Sequence, residues 1–238
     1  MNLFFKTMET IPEGMGFPLF GIVHWMWLLA FVVVTVLCCL WYPKLQPRGK
    51  QRWKTWIVSL LVADELFKLV VLWIAKGFIW SYLPLHLCSI NLFLILWHRI
   101  KPSPWLGNYL YAVCIPGAIV ALLFPAWSQL PLTNALHIHS FTAHILLALY
   151  PIVLTLAGEI RPDIRKLPKC MLLLLCLVVL AYGINLLLNT NFMFLMHVSP
   201  TNPLYWFELH WGNHVYGFPI IAAGILALMY LPATLLNK

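Results

Sequence analysis

Seven long apolar runs separated by short polar segments organise this chain. They cover roughly 19–41, 54–76, 83–100, 106–125, 135–158, 169–189 and 213–236, each close to the roughly 20 residues a helix needs to cross hydrocarbon. The runs are apolar all round, so periodicity does not separate a core face from a lipid face. The pattern predicts an all-α, polytopic membrane protein: a seven-helix transmembrane bundle forming one domain over residues 1–238. No internal repeat or low-complexity run interrupts it. The first run is too long for a cleaved signal peptide, its leader holds one basic residue, Lys6, and no small-residue cleavage site follows.

Composition strengthens this reading. Of 238 residues, 62% are hydrophobic and 9% charged, and the mean hydropathy is +0.87. A soluble domain carries charge on about a quarter of its residues. Too few charges remain here to cover a water-facing surface, which excludes a soluble enzyme, a nucleic-acid module and a disordered chain. The net charge of +8 is explained by where it lies. Lys44, Arg48, Lys50, Arg52 and Lys54 follow span 1; Arg99 and Lys101 follow span 3; Arg161, Arg165, Lys166 and Lys169 follow span 5; and Lys238 follows span 7. The loops after spans 2, 4 and 6 hold no Lys or Arg. The positive-inside rule then predicts an N-out, C-in protein of the cell membrane. Trp41, Tyr42, Trp53 and Trp105 at inner span ends, with Trp80, Tyr82, Trp127 and Trp206 at outer ends, read as interfacial aromatic belts.

Polar side chains inside a bilayer are costly and often mark function. At about 1.5 Å rise per residue, Cys88, His144, His24, Asn185 and Asn189 fall in one layer roughly 6–14 Å below the outer boundary, with His86, Ser89 and Asn91 flanking Cys88. Asp64, Glu65 and Lys68 lie a little deeper in span 2. Either each forms an isolated interhelical hydrogen bond, or together they line a cavity open to the outer leaflet. Pro84 suits the first position of the third helix, which would put Cys88 within about a turn of a helix N-terminus, where the dipole favours an anion. A thiol there still needs a base. His144, at similar depth on span 5, is the better candidate, since His86 points to another face of its own helix. His137, Ser140 and His144 share a face and His139 lies elsewhere. Lys68 can pair with Asp64 or Glu65, leaving one carboxylate either as part of a structural clamp or to orient a histidine.

The six cysteines form no CxxC pair, so neither a zinc site nor a disulfide framework is expected; apart from Cys88 they read as small apolar fillers. No metal and no cofactor is predicted. The nine histidines lack paired spacing across two helices, which ranks bis-histidine haem binding low. The outward loop 190–212, rich in aromatics and Met, reads as a cap on the cavity or as a segment lying on the membrane surface.

The strings LPLHLCSI (83–90), HSFTAHILLALY (139–150) and NLLLNTNFMFLMH (185–197) resemble the YwaF-type family of prokaryotic integral membrane proteins, as do FPLFGIVHW (17–25), ADELF (63–67) and GAIVALLFP (117–125). That family is similar, distantly, to the vertebrate transmembrane protein 164, described as a phospholipid acyltransferase with a membrane-embedded Cys and His. The resemblance implies that Cys88 is the nucleophile and His144 its histidine. His24, Glu65, His86 and His197 also fall on positions the family fills. One departure is Ile145, where many relatives carry Gly after the histidine.

Two functions follow as expectations. The first is a membrane-embedded lipid acyltransferase or hydrolase working through an acyl thioester on Cys88, with His144 as base and Ser89, Asn91 or the span-3 amides stabilising the oxyanion. His24, Glu65, His86, Asn185, Asn189 and His197 would support the site, the partners would be membrane phospholipids, and nucleic acid would have no part. The alternative is a proton-coupled transporter or binding protein for a small polar solute, using the same polar layer and Glu65.

Overall fold

The computed structural model describes residues 3–236. Lys238, counted above among the inward basic residues, lies outside them. The described residues form helices and connecting loops with no strand. The long helices are α1 (Ile22–Trp41), α2 (Pro47–Ala75) and α3 (Leu87–Ile100). A broken helix follows, made of α4 (Pro104–Tyr109), a π-helical turn (Leu110–Cys114) and α5 (Ile115–Leu123). Then come α6 (Ala135–Leu156), α7 (Leu167–Leu188), the short α8 (Tyr205–Trp211) and α9 (Gly217–Leu236). Among the described residues, six helical stretches are long and apolar enough to cross a membrane: Ile22–Lys44, Trp80–Ile100, Pro104–Leu123, Ala135–Leu156, Ile164–Leu188 and His214–Leu231. The protein is thus a multi-pass membrane protein. At 29 residues α2 is also long enough, but Asp64, Glu65 and Lys68 interrupt its apolar character.

Helix α6 is the centre of the bundle, packing against α1, α2, α3 and α5. Its start is built from sequence-local chemistry. The Asn134 side chain accepts from Leu136 N at 2.9 Å and His137 N at 3.3 Å, satisfying amides that a helix start leaves orphaned. The Asn134 Nδ2 donates to the Leu3 and Lys6 carbonyls, which seats the N-terminal segment on the end of α6.

Two prolines shape the middle of the bundle. Pro116 cannot donate to Ala112, and the chain meets this with the π-helical turn just before it. Pro151 inside α6 leaves the Leu147 carbonyl without its helical donor. The Cys114 thiol takes that carbonyl at 3.4 Å. Cys114 is therefore more than filler: it closes a gap that a proline opens.

The basic segments gather at one end. Lys54 Nζ lies 2.8 Å from Glu159 Oε2, the Tyr42 hydroxyl donates to Glu159 Oε1 at 2.6 Å, and Arg99 donates to Thr55. Burial works against the Glu159 charge, but the Lys54 and Tyr42 donors outweigh it and hold the carboxyl below the usual carboxylate range. Three of the eight expected aromatic belt residues are used differently. Tyr42, Trp53 and Tyr82 are buried; Tyr42 serves Glu159, Trp53 stacks on Tyr150, and the Tyr82 hydroxyl donates to Glu9. Trp41, Trp80 and Trp206 are exposed, as belt residues should be.

The third helix starts later than expected. The Leu85 amide donates to the Leu83 carbonyl at 2.8 Å, closing a three-residue turn around Pro84. His86 then takes the extended N-cap conformation (φ −65°, ψ 150°), and α3 begins at Leu87. Pro84 thus precedes the helix, and Cys88 is the second residue of its first turn.

Candidate functional site: a thiol at a helix start facing an imidazole

Cys88 comes from the start of α3 and His144 from the N-terminal half of α6. Their side chains interact directly, and both are half-buried, so neither is sealed in the core. The Ser89 backbone N–H is directed at the Cys88 sulfur, as expected where first-turn amides lack helical partners. His144 Nδ1 lies 2.5 Å from the Ser140 carbonyl oxygen. That contact makes Nδ1 the donor, so the neutral ring carries its lone pair on Nε2.

Behind this pair stands a charged cluster from α2. Lys68 is buried, pairs with Glu65, and is close enough to act electrostatically on both Cys88 and His86. Asp64 Oδ2 lies 2.8 Å from His139 Nδ1, Asp64 Oδ1 lies 2.8 Å from Thr142 Oγ1, and His139 Nε2 is 4.0 Å from Glu65 Oε2. The expected choice between the two carboxylates is made: Glu65 takes Lys68, and Asp64 takes a histidine. That histidine is His139, which sequence periodicity had set aside; Asp64 reaches His144 only through its field. His137, which shares the His144 face, is occupied elsewhere, with the Leu130 carbonyl at 2.9 Å and the Trp27 indole at 2.9 Å.

His86 is held from outside its own helix. The Met193 amide donates to His86 Nδ1 at 3.3 Å, and the ring packs edge-on against Phe192 and tilted against Phe194. The segment that does this is built by Asn185. Asn185 Oδ1 accepts from Phe192 N at 2.7 Å and Thr190 Oγ1 at 2.9 Å, while its Nδ2 donates to the Phe192 carbonyl at 3.0 Å. Met193 and Phe194 both sit at φ 58°, a left-handed conformation that costs a side-chain-bearing residue about 1–2 kcal/mol.

The remaining predicted residues divide. Asn91 is buried one turn below Cys88, and among the described residues its Oδ1 has no hydrogen-bond partner. His24 is fully buried, but both ring nitrogens are used by backbone: Phe20 N donates to Nδ1 at 2.9 Å and Nε2 lies 2.8 Å from the Leu122 carbonyl. It ties α1 to the end of α5. Asn189 is the exposed left-handed cap of α7. His197 is exposed, and it is its backbone that Asn191 holds. His139 is the member of the polar cluster that sequence reasoning left without a role. Ile145, in place of the glycine of many relatives, is buried among Phe17, Leu122 and Phe141.

A sequence profile of the TMEM164 family matches residues 19–230. The chain belongs to the TMEM164 family. The match runs from just before α1 into α9, so Cys88, His144, the α2 cluster and the 190–197 segment all fall within the TMEM164 region. No curated protein and no solved structure matches the chain.

Proposed function

We propose that this TMEM164-family protein is a membrane-embedded lipid acyltransferase that works through an acyl thioester on Cys88. The observation that carries this reading is the direct approach of a thiol at a helix start to an imidazole whose other nitrogen is tied to a carbonyl. His144 Nε2 takes the thiol proton, and the sulfur attacks the carbonyl carbon of a phospholipid ester. The carbonyl π pair moves to oxygen, facing the amides of the first turn of α3. Collapse expels the lipid alkoxide, which receives the proton from His144. A lipid hydroxyl, or water in a hydrolytic variant, then passes its proton to His144 and attacks the thioester, releasing the thiolate.

The 29-residue α2 is a seventh crossing, its charges turned toward the bundle by Glu65–Lys68 and Asp64–His139. Seven crossings and the basic segments at one end give an N-out, C-in protein of the cell membrane. Cys88 then lies below the outer face at the depth of lipid ester groups, reachable sideways by a phospholipid.

The test is acyl exchange by purified protein in phospholipid nanodiscs, with a labelled acyl phospholipid and an unlabelled lysophospholipid. Label moves to the lysophospholipid with the native chain and not with Cys88→Ala or His144→Ala. Equal movement with Cys88→Ala would remove the mechanism.

A further inference from the structure

His144, which meets Cys88, and His86, two residues before it in the chain, are held in opposite tautomers by backbone groups. The Ser140 carbonyl at 2.5 Å makes His144 Nδ1 a donor and leaves Nε2 as a base. The Met193 N–H at 3.3 Å makes His86 Nδ1 an acceptor, so the proton of the neutral ring resides on Nε2. A half-buried ring that can only donate, within electrostatic reach of one that can only accept, matches the two demands of acyl transfer: a base for the thiol and a donor for the oxyanion.

Position agrees with this division. His86 is the N-cap of α3, two residues before Cys88, and is close enough to His144 to act on it electrostatically. Nothing in the helix needs the ring, because no side-chain cap bond is made there. The segment that fixes the ring is costly to hold: Met193 and Phe194 are both left-handed, and Asn185 spends three hydrogen bonds on keeping Thr190 and Phe192 in place. Strain retained beside reactive groups is a mark of a site whose geometry matters.

We infer that His86 is the oxyanion donor of the site, its Nε2–H hydrogen-bonding the carbonyl oxygen of the lipid acyl group as Cys88 attacks. The inference rests on the thioester reading above. In the attack the sulfur–carbon bond forms and the carbonyl π pair becomes an oxygen lone pair, which His86 Nε2–H and the first-turn amides of α3 stabilise. As the pair returns, the ester C–O bond breaks and the alkoxide leaves with the proton held by His144. His86 keeps its own proton throughout. Asn185 is a positioning residue that acts through the Met193 amide.

The experiment measures two rates at Cys88 by peptide mass: thioester formation from an acyl phospholipid, and alkylation by iodoacetamide. Alkylation needs the base but builds no tetrahedral oxyanion. His86→Ala is expected to slow thioester formation about 10²–10³-fold and leave alkylation within about twofold. His86→Gln, which keeps an N–H donor, is expected to recover most of the loss. Thioester formation by His86→Ala at the native rate, or an equal fall in alkylation, would overturn the assignment while leaving Cys88 as nucleophile. Absence of any thioester in the native protein would overturn the parent reading and this one with it.

Discussion

His144 Nδ1 sits 2.5 Å from the Ser140 carbonyl oxygen, one turn back along α6, and this single backbone contact leaves Nε2 as the ring nitrogen free to accept a proton. A serine side chain is not required for it, since the carbonyl belongs to the backbone. Ser140→Ala is therefore expected to leave thioester formation at Cys88 within about threefold of native, whereas His144→Ala removes a general base contributing about 10²–10⁴-fold. Rates of Cys88 alkylation by iodoacetamide across pH distinguish the two variants.

Glu65 and Lys68 form an ion pair inside the bundle. Removing one partner of a buried pair leaves an uncompensated charge, at about 3–5 kcal/mol, while replacing both can be near neutral. Lys68→Met and Glu65→Leu should each lower the melting temperature in detergent strongly, and the double variant should recover much of the loss. Additive losses in this double-mutant cycle would contradict the pairing.

Glu159, in the loop after α6, is tied to Lys54 of α2 and to the Tyr42 hydroxyl just after α1. Its folded carboxyl is held below the usual range, so the unfolded chain binds its proton at higher pH than the native protein does. The stabilisation is therefore present above the ordinary carboxylate value of 4.5 and is lost as pH falls through the lower folded value. Melting temperature measured from neutral pH down to about pH 3 should fall less steeply for Glu159→Gln than for the native chain, although the variant starts lower. Parallel curves would refute the linkage.

The fold was largely legible because hydrocarbon imposes it: a run of about 20 apolar residues is a span whatever surrounds it. The Cys88–His144 approach was legible from depth, since two residues at equal depth in adjoining helices can meet. What failed was anything set by rotation or by a distant loop. His139 and His144 are five residues apart, about 140° around the helix, and only the placement of α2 on the His139 side turns that separation into an Asp64 contact. His86 is placed by Met193, 107 residues away, and no periodicity reports that. Pro84 carried a real signal, but the Leu83–Leu85 turn used it before the helix rather than at its first position. Cys114 had a readable clue that was missed: Pro151 frees the carbonyl four residues before it, and such a group needs a donor.

Asp64, Glu65 and Lys68 also bear on topology. If α2 crosses the membrane, a glycosylation or thiol-accessibility reporter placed in 44–50 and one placed in 77–81 read on opposite faces. Both reporters on the same face would mean that α2 does not cross, leaving six crossings.

The central claim is a covalent one, and it is read most directly by mass. Purified protein incubated with an acyl phospholipid, quenched in acid and measured intact, should gain the mass of one fatty acid less water. The adduct should map to Cys88, be removed by hydroxylamine, and be missing from Cys88→Ala and His144→Ala. An unmodified native protein under conditions where it exchanges acyl chains, or an adduct that persists in Cys88→Ala, would contradict the account.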